Sequence, residues 1–139
     1  MAKVQNLFRA PKKHFPMEEL SRVRALDNTG FEGCAHARHG RTRQVLLVDR
    51  ETLEAMNLQP GVIRENITTD GLNVNGLPIG QLLRVGEAQL EVSAACTPCD
   101  QMEVIRPGLQ KELWGRRGML CRVLEGGMIR RGDSIEKLS

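Results

Sequence analysis

The chain has 139 residues, a formal net charge of +3, and 40% hydrophobic, 27% charged and 3% aromatic residues, which suits one water-soluble unit over residues 1–139 with an aliphatic core. Phe8, Phe15, Phe31 and Trp114 are too few rings for a base-stacking platform, so nucleic acid is disfavoured as a partner, while the positive charge suits a small anionic ligand. No apolar run approaches a membrane span and the start lacks the apolar stretch of a secretion signal, which predicts a cytoplasmic protein, without a membrane partner, whose cysteines stay reduced.

In chain order, Val4 to Phe8 is expected as a first strand and Ala10-Pro11-Lys12-Lys13 as a turn. Met17 to Leu26 mixes two periodicities and is taken as a short turn followed by a strand. Asp27 to Arg43 is glycine-rich and aperiodic, hence a long irregular loop of the kind that is often functional. It sets His36 and His39 beside Arg38, Arg41 and Arg43, cations and imidazoles that can surround an anion; a merely solvated basic loop is the bland alternative. Gln44 to Val48 reads as an apolar strand. Asp49 then caps a helix of about ten residues through Leu58, stopped by Pro60-Gly61. Strands are expected over Val62 to Ile67, Leu72 to Val74, Leu82 to Val85 and Ala88 to Ala94, with turns at Asp70-Gly71, Asn75-Gly76 and Gly86-Glu87.

Leu90, Val92 and Ala94 alternate with Glu91 and Ser93 and run straight into two thiols. Pro98 cannot extend a ladder, so Cys96-Thr97-Pro98-Cys99 is expected as a turn, followed by a short helix from Gln101 to Ile105 with Asp100 as its cap. A thiol just ahead of a helix start favours the thiolate, which makes Cys99 the better candidate for a reactive or ligating sulfur. Pro107 stops that helix too soon for a thioredoxin-like dithiol. Pro107 to Trp114 is a further short helix, Met119 to Leu124 a strand, Gly126-Gly127 a turn, and Met128 to Arg131 and Ser134 to Leu138 close the chain. Roughly eight to ten short strands with two or three short helices read as one bent, closed or nearly closed β-barrel with peripheral helices, a mainly β fold. The residues leave open a non-enzymatic barrel in which Cys96 and Cys99, with Cys34 or Cys121, hold a structural zinc.

Taken in order, GFEGCAHARHGRTRQVLLVDRETLEAMNLQPG, RENITTDGLNVNGLPIGQLLRVGEAQLEV, TPCDQM and RPGL resemble a stand-alone MOSC domain, a family named from the C-terminal domain of molybdenum-cofactor sulfurases. The resemblance runs from about residue 20 to 135. It implies a bent β-barrel and the molybdenum–pterin cofactor, with Cys99, after Pro98, as the molybdenum ligand or persulfide carrier. Family members are sulfur carriers for that cofactor or reductases of N-hydroxylated compounds, and the resemblance leaves the two open. Soft thiolate donors suit molybdenum and basic residues suit the pterin's phosphate. By position His36 resembles the histidine of the family's G-D-x-H segment, and Glu65 and Asn66 the Glu-Asn of its G-E-N segment. Cys34 stands where the family usually has aspartate and Arg64 where it usually has glycine. The expected cofactor contacts are therefore His36, Arg38, Arg41, Arg43, Glu65 and Asn66. An electron-donor or sulfur-donor protein is implied as partner, because no dinucleotide fingerprint or iron–sulfur cysteine run is present. Nothing resembles a pyridoxal phosphate domain.

Overall fold

Val45 to Asp49 is buried at every position, and the sheet is assembled on both of its edges. The computed structural model describes residues 1–138. Its elements are β1 (Lys3–Arg9), β2 (Glu18–Leu20), β3 (Arg22–Leu26), β4 (Gly30–Phe31), β5 (Val45–Asp49), α1 (Arg50–Ala55), β6 (Ile67–Asp70), β7 (Leu82–Val85), β8 (Ala88–Ala95), α2 (Gln101–Ile105), α3 (Leu109–Glu112), β9 (Met119–Glu125), β10 (Gly127–Arg130) and β11 (Ile135–Leu138). The fold is mainly β with three short α-helices, as the sequence implied.

One sheet runs in the order β11-β7-β8-β9-β5-β6-β1-β2, and a smaller one in the order β10-β3-β4. Every pairing is antiparallel except β5 with β6, whose crossover carries α1. The expected closure into a barrel is not seen among the described residues. The large sheet bends until β1 meets the segment entering β11, but they share a single bridge, Lys3 to Ser134, and no ladder. Backbone bonds from Val4 N to Asp133 O, Gly132 N to Val4 O and Ile135 N to Ala2 O fasten this seam.

β5 shows why its sequence is apolar throughout. Successive side chains of a strand point to opposite faces, so Val45 and Leu47 join one buried cluster while Leu46 and Val48 join another. The first cluster lies inside the bent sheets with Leu7, Phe31, Ile67, Leu83, Leu90 and Ile129. The second lies beneath the helices, with Leu53 of α1, Met102 of α2, and Leu109 and Leu113 of the α3 region. Burying one such side chain is worth about 1.5–3 kcal/mol, so the helices are held by their apolar faces and not by length.

The alternation read along β8 fails at one residue. Its register against β9 shifts between Val92 and Ala94, so Ser93 is an extra residue, a β-bulge. Leu90 and Val92 face the inner cluster, but Ala94 and Cys96 pack against the helix-side cluster. Other boundaries also move. Helix α1 stops at Ala55 because Asn57 turns left-handed (φ 57°), with Leu58 N bonding Leu53 O and Asn57 N bonding Glu54 O, a Schellman-type end that precedes Pro60. The strand expected over Val62 to Ile67 begins only at Ile67, since Arg64 has φ 67°. Leu72 to Val74 is no strand but leads into a 3-10 turn, Val74–Gly76. The helix expected from Pro107 to Trp114 shrinks to α3, Met17 to Leu26 holds two strands, and Cys96 to Cys99 is irregular chain without a turn.

Gly118 sits where β9 begins, and its carbonyl accepts from Cys96 N (3.0 Å) while its N–H donates to Asn75 Oδ1 (3.0 Å). Its φ is 103°, and an added Cβ would collide with the Leu47 carbonyl. Gly118→Ala is expected to cost about 1–3 kcal/mol or more. Gly132→Ala, at φ 87° with open space around it, should cost about 1 kcal/mol. Urea unfolding of both variants checks this, and equal losses would show that the close approach at Gly118 is unimportant.

Candidate functional site

Cys99 is exposed on the irregular stretch between β8 and α2, and its sulfur has no hydrogen-bond partner among the described residues. Its carbonyl accepts from Met102 N (3.1 Å), which starts α2. Asp100 occupies the cap position as expected, but its side chain makes no capping bond. Cys96 is half-buried against the helix-side cluster. The two sulfurs of the C-x-x-C therefore have unlike surroundings.

The bulge at Ser93 sets where this stretch begins. The Ser93 hydroxyl lies within hydrogen-bond reach of two carbonyls, Leu120 O (3.1 Å) and Thr42 O, which share its single proton. Thr42 lies between Arg41 and Arg43, so the end of the arginine segment is fastened beside the strand that leads to Cys96. Arg38, Arg41 and Arg43 are all exposed, and no salt bridge or hydrogen bond engages their side chains among the described residues. Elsewhere arginines such as Arg9, Arg50 and Arg106 are paired with carboxylates. The inward anchor of the same segment is Gln44, which is buried and bonds Val123 N, Arg38 O and Asn28 Oδ1.

Cys34, His36 and Asn66 come together near the middle of the segment. Asn66 is fully buried, and its amide donates to Phe8 O (3.2 Å) and Cys34 Sγ (3.4 Å) while its Oδ1 accepts from Leu46 N (3.0 Å). Ala10 N also donates to Cys34 Sγ (3.3 Å). Burial pushes the Cys34 thiol up, but the His36 imidazole and the Ala10 and His36 backbone bonds outweigh it and bring it down from 9.0 to about 7. Cys121 has burial, then the Glu91 charge, and is pushed up to about 12, an inert core thiol. No three His, Cys, Asp or Glu side chains gather as a metal centre would require, among the described residues. Cys34 and Cys121 belong to the inner cluster and Cys96 to the helix-side one, which does not favour zinc shared with the C-x-x-C.

Glu65 is also fully buried. Its Oε2 accepts from Gly61 N (2.8 Å) and Thr68 Oγ1 (2.9 Å), and Oε1 has no partner among the described residues. Burial raises its pKa, opposed by the Gly61 and Glu65 backbone N–H groups, the Thr68 hydroxyl and the Arg117 charge. Neither Glu65 nor Asn66 presents an atom to the surface. Glu65 holds the backbone of the loop at Gly61, and Asn66 holds the backbone at Phe8 and Leu46 and the side-chain sulfur of Cys34. That loop forms one wall of a cleft of about 450 Å³ whose opposite wall is α2, beginning at Gln101 just beyond Cys99. Among the described residues, no hydrogen bond joins Cys99 to His36, Glu65 or Asn66. Ser93 and Arg117 escaped the sequence reading, since a lone polar residue on a strand and one member of an Arg-Arg pair carry no signal of their burial or bonding.

The MOSC domain family model matches residues 35–136. Among solved structures, the YuaD protein from Bacillus subtilis superposes with a TM-score of 0.79 at 20% identity, covering 96% of this chain and 93% of that one. YiiM from Geobacillus stearothermophilus gives 0.82 at 18% identity, covering 100% and 76%. YiiM from Escherichia coli gives 0.76 at 21%, covering 100% and 70%. These likenesses establish the fold. No curated protein matches the sequence.

The Cys34 thiolate makes a pH-dependent contribution to stability. A thiol whose folded pKa lies below its unfolded value adds stability that is full above about pH 9 and is lost as pH falls through about 7. The unfolding free energy of the protein is therefore expected to rise between pH 7 and pH 9, and His36→Ala should flatten that rise. Thiolate absorbance near 240 nm with a midpoint unmoved by His36→Ala would contradict the pairing.

Proposed function

The chain belongs to the MOSC domain family, which is generally linked to molybdenum-cofactor binding, and from that premise we propose that it binds the molybdenum–pterin cofactor through Cys99. The observation that carries the proposal is the Cys99 thiol itself: exposed, without a partner, and on the stretch whose root is fastened to the arginine segment by Ser93. The donor set fits the group. A cofactor that brings its own metal requires from the protein one soft thiolate and contacts for its anionic end, not a cluster of three protein ligands. When bound, the group supplies redox chemistry for reduction of N-hydroxylated compounds, or accepts a sulfur that the cysteine carries.

The chain's own residues divide the work. Cys99 holds the metal or carries the sulfur. Arg38, Arg41 and Arg43, unspent on any carboxylate, hold the anionic end, with His36 beside them on the same segment. Buried Asn66 fixes the root of that segment through Cys34, and buried Glu65 fixes the loop at Gly61. Electrons or sulfur arrive from a separate donor protein.

Cys99→Ser replaces a soft thiolate by a hard hydroxyl, so it is expected to abolish molybdenum retention or persulfide formation. Cys96→Ser is expected to retain measurable activity, because a group beside the ligand typically costs about 10–100-fold and a packing cysteine less. Metal content, alkylation rate and turnover of an N-hydroxylated base are compared for the two variants; equal losses contradict the single-thiol reading.

Loss of one charge-assisted contact costs about 1.5–3 kcal/mol, so Arg43→Ala should weaken cofactor retention about tenfold or more. Lys12→Ala should leave it unchanged. Equal retention in both would reduce the arginine segment to solvated charge.

A further inference from the structure

Four of the described residues other than glycine have positive φ, two of them Asn28 and Asn57, whose short polar side chains tolerate it locally. The other two are His14 and Arg64, each at φ 67°, and both line the cleft beside α2. A side chain held on a left-handed backbone costs about 1–3 kcal/mol and persists where the surroundings impose it, which is common at ligand sites. Glycine would take this backbone at Arg64 without strain.

The side chain at that position is put to use. Arg64 Nη1 donates to Phe15 O (2.6 Å), which draws the residues around His14 over the cleft, and no other protein partner takes its remaining N–H groups among the described residues. The cleft offers apolar walls from Phe8, Met17, Val62 and Met102, two basic side chains in His14 and Arg64, and no acidic one. Its volume of about 450 Å³ suits a small molecule. An anionic group facing an arginine fork gains charge-assisted hydrogen bonds, and an apolar body gains the walls.

We propose that this cleft is the substrate site and that Arg64, aided by His14, selects N-hydroxylated compounds whose apolar body carries a carboxylate or phosphate. This rests on the function assigned to Cys99 for the reaction, since Gln101 of the cleft wall follows closely on that thiol; the binding preference itself does not.

The test measures dissociation constants by calorimetry for 4-carboxybenzamidoxime and for neutral benzamidoxime. The full chain, made in a host that supplies the cofactor, is compared with Arg64→Gly and Cys99→Ser, alongside molybdenum content. Wild type and Cys99→Ser are expected to bind the carboxylated probe about tenfold more tightly than the neutral one. Arg64→Gly, whose backbone suits glycine, should fold and bind both within about twofold. Equal binding of the two probes by wild type, or an undiminished preference in Arg64→Gly, overturns the proposal. Molybdenum in wild type without the preference overturns the cleft assignment alone. The preference without molybdenum upholds the ligand class of the cleft and overturns the function assigned to Cys99.

Discussion

The amide of Asn66 is the interaction on which the rest of the structure depends. One fully buried side chain joins β1 at Phe8, β5 at Leu46 and the loop at Cys34, while its backbone pairs with Leu46 and Phe8 as well. A buried polar group left without a partner costs about 1–3 kcal/mol, and here several groups would be orphaned together. The junction is local in space but not in sequence, so it fixes the long segment from Asp27 to Arg43 near its middle, at Cys34. Gln44 and the Thr42–Ser93 contact fix its C-terminal end. The arginines between them are thereby exposed on a tethered segment and not on a free loop, which reduces the ordering cost of holding an anion.

The bulge at Ser93 does the corresponding work for the thiols. Without the extra residue, Ala94 and Cys96 would share the inward face of Leu90 and Val92, and the chain would enter the core. With it, Cys96 packs under the helices and Cys99 emerges at the surface. Glu65, by holding Gly61, and Arg64, by holding Phe15, shape the cleft beside α2. Asn66 and Glu65, deep in the fold, thus hold the arginine segment at Cys34 and the cleft loop at Gly61.

Much of this was legible in the sequence where chemistry and periodicity agreed. β5, β7, β8 and β9 and helix α2 fall within a residue or two of their expected places, because apolar alternation and Gly or Pro punctuation are local signals. The order of motifs identified the family. What was not legible depended on contacts distant in sequence. The apolar Val62 and Ile63 suggested a strand, yet Arg64 adopts a left-handed backbone that only the surrounding loop imposes. Closure of the sheet into a barrel, taken from the count of strands, ends in a single bridge at Lys3. Glu65 and Asn66 were expected at the cofactor, and they are buried behind the surface, where burial cannot be inferred from a polar pair.

In the proposed function, one thiol presents itself to a metal that arrives within its own organic ligand. Elemental analysis for molybdenum, with pterin fluorescence on denaturation, performed on the protein purified gently from a host able to make the cofactor, addresses that directly. The account predicts molybdenum and pterin together, in a ratio near one to one with the chain. Neither present after purification and reconstitution, or zinc retained in their place, would contradict it.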